Sequence, residues 1–153
     1  MAAALLTLTS LSILGIAASF VLAWQHGTTS HVGIAVFATM LNLLAHSLLM
    51  FYLIGKGKAV REAVAEAGLK GNYYARVARL RAPVFSRATL AMAVLMAAAI
   101  IGASVDVGVV PAWPHALLAG LALAAQVYTL LTEVTALTGT ARIVDEVNAA
   151  LNS

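Results

Sequence analysis

The chain is 153 residues long, 62% hydrophobic and only 10% charged, with a formal net charge of +3 and no cysteine. Soluble domains carry roughly 25% charged residues, so this composition excludes an ordinary soluble fold and points to the bilayer. The missing cysteines exclude disulfides, thiolate metal sites, iron–sulfur clusters and covalent c-type haem attachment, and leave the redox compartment open.

Residues 2–24 hold no charged side chain and are enough to cross roughly 30 Å of hydrocarbon at about 1.5 Å per residue. Val21-Leu22-Ala23 has the look of a signal-peptidase site, but no positively charged segment precedes the run, so a retained span is expected. Ser12, Gly15 and Ser19 share one face and predict close helix packing, and Trp24 stands where an interfacial aromatic belongs. After a turn over 25–30, a second span covers 32–54. Thr39, Asn42 and His46 lie on one face of it and form a polar stripe.

Between Lys56 and Arg87 the chain carries eight of its nine Lys and Arg residues, opposed by Glu62 and Glu66 alone. The positive-inside rule places this basic connection, 56–87, in the cytoplasm and both termini with it. Orientation and anionic inner-leaflet lipid account for the charge, so no nucleic-acid partner is needed. Val60, Val64 and Ala67 recur at helical spacing, which predicts that the second helix continues until Gly68 stops it. Gly71-Asn72 then makes a turn. Tyr73 to Arg81 predicts a short amphipathic helix whose Arg76 and Arg79 face the inner headgroups, separated from the third span by Pro83.

The third span, 88–105, holds no ionisable residue and offers Ala91, Ala98 and Gly102 as small contact points. A turn through Asp106, Gly108, Pro111, Trp113 and Pro114 leads into the fourth span, 114–137, which contains Glu133. A bare carboxylate at membrane depth costs several kcal/mol, so Glu133 must face protein or water, be paired, or be protonated. Its stripe, through Thr129, Gln126, Ala122 and Ala119 to His115, therefore turns inward. The pattern continues through Arg142, Ile143, Val147 and Leu151, which predicts that helix four also projects beyond the membrane. Arg142 and Glu146 are spaced for an i, i+4 pair, and Arg61 is expected near Asp145 or Glu146.

The expected fold is thus one all-α domain over 1–153, an integral membrane four-helix bundle running up-down-up-down, with helices two and four extended into the cytoplasm. Counting about 1.5 Å per residue from Val32 and Trp113 puts His46 at ~21 Å, Gln126 at ~20 Å, Thr129 at ~24 Å and Glu133 at ~30 Å. His115, at ~3 Å, is too far from His46 to share an iron. Haem b would need Met40, Met50 or a histidine of another copy or subunit as second ligand. The plainer expectation is a buried His46 satisfied by Asn42, Gln126 or Thr129. His46, Gln126 and Glu133 are accordingly the candidate cofactor-binding residues, whether for haem, a metal ion, a proton path or a quinone near Tyr52. At the other surface His26, His31, His115 and Asp106 form a candidate zinc or copper(II) set.

No catalytic motif is present. Gly55-Lys56-Gly57-Lys58 follows an apolar helix rather than a strand and lacks P-loop spacing. With small or polar contact faces on three spans, the expected role is an accessory or structural subunit of a larger membrane complex, or a homo-oligomer, in a bacterial inner membrane. The alternative is a redox or ion-conducting component using His46 and Glu133.

Overall fold

The computed structural model describes residues 1–26 and 28–152, and for residues 26 and 28–30 the backbone alone. Four α-helices follow one another: α1 (Ala2–His26), α2 (Thr28–Glu66), α3 (Tyr73–Asp106) and α4 (Ala112–Leu151), with no strand among the described residues. Each is long and apolar enough to cross a membrane. Large apolar side chains such as Leu14, Phe37, Phe51, Leu90, Ile100 and Leu131 point outward from all four, as acyl chains require of a bilayer protein.

Helix α2 ends as its glycine predicts. Gly68 adopts φ +62, its N–H reaches the Ala65 carbonyl at 3.3 Å, and the Leu69 N–H reaches the Val64 carbonyl at 3.0 Å. This pair of bonds satisfies carbonyls that a helix end otherwise leaves unpaired, and only a residue without Cβ enters the left-handed region freely. The basic segment 56–87 is therefore mostly helix, and only residues 67–72 lie between α2 and α3.

The expected break at Pro83 does not occur: α3 runs through it without interruption. Proline removes the N–H that would bond the Arg79 carbonyl. What carries the helix across is burial, because Val77 and Val84 are both 0% exposed on either side of the proline. They are seven residues apart and so share a face, and ending the helix between them would pull one from the core. The segment Tyr73–Arg81 consequently packs against the ends of α2 and α4 instead of lying apart on headgroups.

Three apolar layers are stacked along the bundle. Ile16, Ala38, Leu95, Ala98 and Ala122 form one near the end that carries Trp24 and Trp113. Leu5, Leu49, Leu53, Val84, Ala136 and Leu137 form the second. Val60, Val77, Ile143 and Val147 form the third, beside the basic turn. Close approach makes the first layer dense: a Cβ on Gly15 would stand 2.9 Å from the Ala38 Cβ. Gly15→Val therefore forces α1 away from α2, with an expected loss of about 1–3 kcal/mol on overpacking grounds, to be read as a lower unfolding midpoint in detergent. A midpoint equal to that of the parent would show that the two helices separate without cost.

At the basic end Arg76 bonds both carboxylate oxygens of Glu146, with Nη2 2.9 Å from Oε1. Arg76 is thus tied to α4, and Glu146 takes it rather than Arg61 or Arg142. Arg61 instead lies over the ring of Tyr74. Arg79 is exposed.

Candidate functional site

Between the first and second apolar layers lies a layer of polar side chains. Asn42, His46, Gln126 and Glu133 are each 0% exposed and Thr129 is 1% exposed. The stripes expected on α2 and α4 do meet. His46 Nδ1 lies 2.5 Å from Glu133 Oε1, and Nε2 lies 2.6 Å from Gln126 Oε1. The ring stands between two α4 residues spaced two turns apart and is clasped from both sides. The ~9 Å offset expected between His46 and Glu133 is closed by the reach of the two side chains, since the imidazole presents a nitrogen toward each end of the bundle.

The remaining bonds fix the protons. Gln126 Nε2 donates to the Ala91 carbonyl of α3 at 3.2 Å, and a carbonyl can only accept. The amide oxygen of Gln126 must then face His46, so His46 Nε2 carries a hydrogen and donates it. Nδ1 faces a carboxyl oxygen, and a bond between them requires one proton, on the ring or on the acid. The His46–Glu133 pair thus shares a single proton and is neutral as a pair in both arrangements. Burying it avoids the desolvation that an isolated charge would suffer. Glu133 Oε2 has no hydrogen-bond partner among the described residues, and the same holds for Asn42 Oδ1 and Thr140 Oγ1.

The two other expected partners of His46 bond elsewhere. Asn42 Nδ2 donates to Ser12 Oγ at 3.0 Å, and Ser12 Oγ donates to the Thr9 carbonyl of its own helix at 2.7 Å. Thr129 Oγ1 donates to the Ala125 carbonyl one turn back. All four helices therefore enter the layer: α1 through Ser12, α2 through Asn42 and His46, α3 through the Ala91 carbonyl, α4 through Gln126 and Glu133. That carbonyl partner left no mark in the sequence, because every residue has one.

This arrangement limits what the layer can bind. An iron or zinc ion needs a nitrogen lone pair from imidazole. Nε2 of His46 is protonated by its bond to Gln126, and Nδ1 is in direct contact with Glu133, which leaves no room for an ion between them. Of the methionines considered as haem ligands, Met40 is 67% exposed and Met50 is half-buried. Tyr52 packs against the second apolar layer, with Lys56 Nζ 5.7 Å from its ring centre.

Toward the tryptophan end the pairs α1–α2 and α3–α4 enclose a cleft of about 180 Å³, whose lining includes His31, Asp106 and His115 with Ala98 and Gly102. His115 Nδ1 donates to the Ala98 carbonyl at 3.0 Å, and its ring rests on Gly102, where a Cβ would stand 2.7 Å from Cε1. Of the four residues expected to hold a metal, His31, Asp106 and His115 line this cleft. The His26 side chain lies outside the described residues, and among the described residues no three His, Asp or Glu side chains are grouped to hold an ion. A half-buried Arg87, not singled out from sequence, bonds Thr132 Oγ1 at 2.7 Å and covers the Tyr128 ring at 4.5 Å, level with Glu133 on the outside of α4.

No family model, curated protein or solved structure matches this chain.

Proposed function

We propose that the chain is a multi-pass protein of a bacterial inner membrane that serves as an accessory or structural subunit of a larger membrane assembly, or of a homo-oligomer, without catalysis of its own. The observation that carries this reading is the closure of the polar layer. Both ring nitrogens of His46 are committed within the chain, and apolar layers lie on either side along the bundle. A centre so enclosed holds helices together, and what remains for function is the exterior.

The same reading gives the bundle an up-down-up-down course with both termini in the cytoplasm. Ser19 bonds the His31 carbonyl while Ser12 bonds Asn42, and Ala91 meets Gln126 while Arg76 meets Glu146, pairings that support this course. Lys and Arg gather at the α2–α3 turn, which supports a cytoplasmic end under the positive-inside rule. Anionic inner-leaflet lipid is the expected surface partner there. Purification of the full chain in mild detergent is expected to yield a species larger than the monomer, containing either further copies or a second chain identifiable by mass spectrometry. Recovery of a lone monomer, with no cross-linked product in native membranes, overturns the subunit reading.

A second reading, a proton-handling component, has one observation in its favour: the proton shared by His46 and Glu133, with Glu133 Oε2 left without a partner.

A further inference from the structure

The basic end holds more positive charge than its ion pairs use. Arg76 is bound to Glu146, Lys58 lies 3.6 Å from Glu62, and Arg87 is engaged by Thr132. Two arginines are different. Arg61 from α2 and Arg81 from α3 both lie over the ring of Tyr74, 5.9 and 5.8 Å from its centre, and Arg81 Nη2 donates to the Tyr74 hydroxyl at 3.3 Å. Among the described residues no carboxylate forms an ion pair with either.

The local chain geometry builds this convergence. A Cβ on Gly57 would stand 3.2 Å from Arg81 Nη1, so the missing side chain lets the guanidinium lie against the α2 backbone. Beside the ring, Arg61 and Tyr74 border an open groove of about 540 Å³ whose other walls include Val64, Leu69 and Gly71. Two like charges drawn to one ring repel each other, and an anion bound by both offsets that repulsion. Arg81 spends one N–H on the Tyr74 hydroxyl, and among the described residues its other N–H groups and those of Arg61 have no hydrogen-bond partner, so both guanidiniums can offer N–H groups to phosphate.

We propose that Arg61, Arg81 and Tyr74 form a phosphate site that takes the headgroup of an anionic phospholipid. Depth selects the lipid over a soluble phosphate: Gly57, level with Arg81, lies about 5 Å of helix beyond Ile54, where the second span ends and headgroups begin. The assignment rests on that span ending in the inner leaflet, and it shifts the lipid contact from Arg76 and Arg79, expected from sequence, to a pair that sequence spacing did not connect.

The test is native mass spectrometry of the full chain in maltoside detergent, titrated with phosphatidylglycerol, phosphatidylcholine or soluble glycerol phosphate. Phosphatidylglycerol is expected to remain as a one-to-one adduct that phosphatidylcholine does not match. The Arg61→Gln/Arg81→Gln variant is expected to bind it about tenfold more weakly, on the scale of losing two charge-assisted contacts. The Lys70→Gln/Arg142→Gln variant, with the same loss of charge on exposed residues, is expected to bind as the parent does. Equal weakening in both variants overturns the site in favour of diffuse charge, and displacement of the lipid by equimolar glycerol phosphate overturns the lipid as occupant. If circular dichroism shows the glutamine pair unfolded, Arg61→Lys/Arg81→Lys decides, since it keeps charge and loses the fork: several-fold weaker binding supports the site and unchanged binding overturns it. Binding in micelles needs no orientation, so a reversed topology, read by labelling Ala67→Cys in intact cells, would remove the inner-leaflet reading and leave the site intact.

Discussion

Glu133→Ala is expected to destabilise the bundle by about 3–5 kcal/mol, the scale of removing one member of a buried charged pair. The loss follows from the proton count. With the carboxyl gone, His46 keeps its Nε2–H on Gln126, and Nδ1 is left facing a void between the two apolar layers. Glu133→Gln behaves differently. Its amide can donate to Nδ1 of a neutral imidazole, so a hydrogen bond survives and the loss should fall to about 1 kcal/mol, the range found for interhelical bonds in membranes. Reversible unfolding in mixed detergent and dodecyl sulfate micelles measures both. If the alanine variant is no worse than the glutamine variant, the pair is not what holds α2 to α4. The glutamine variant also separates the two functional readings, because it removes the shared acidic proton while keeping the fold. Vesicles reconstituted with it should show the proton permeability of the parent if the layer is structural, and a lower one if the layer conducts.

Pro83→Ala is expected to act in the opposite direction and raise stability, by about 1–3 kcal/mol. A proline inside a helix costs up to about 3 kcal/mol relative to alanine through its missing N–H and its clash with the carbonyl one turn back. Here α3 continues through it, so replacing it restores a donor to the Arg79 carbonyl without asking any buried side chain to move. The same unfolding assay reads the gain as a higher midpoint. A lower midpoint would show that the local distortion is needed to seat Val77 and Val84 together.

The fold was legible to the degree that it is written in apolar periodicity and in depth. Four spans, the overrun of α2 to a glycine stop and the inward stripe on α4 all follow from residue type and a spacing of 3.6. The centre was half legible. Glu133, His46 and Gln126 could be singled out because ionisable and amide groups are rare in such helices, but the expected depth offset kept His46 and Glu133 apart, since rise per residue takes no account of the several ångströms that a glutamate or glutamine side chain spans along the axis. Pro83 misled for the complementary reason: its local preference is strong, while the burial that overrules it belongs to α2 and α4. The convergence of Arg61, Tyr74 and Arg81 escaped notice because they are joined across two helices and by Gly57, and no periodicity within one helix records a contact of that kind.

The single proton held between His46 and Glu133 has an electrical consequence. A lone charge at that depth would feel the transmembrane voltage, worth about 2.3 kcal/mol per elementary charge for each 100 mV across the full bilayer. A dyad of zero net charge presents only a small dipole to that field, and moving its proton from oxygen to nitrogen displaces charge by a fraction of the membrane thickness. The polar layer should therefore keep the same strength in an energised membrane as in a depolarised one.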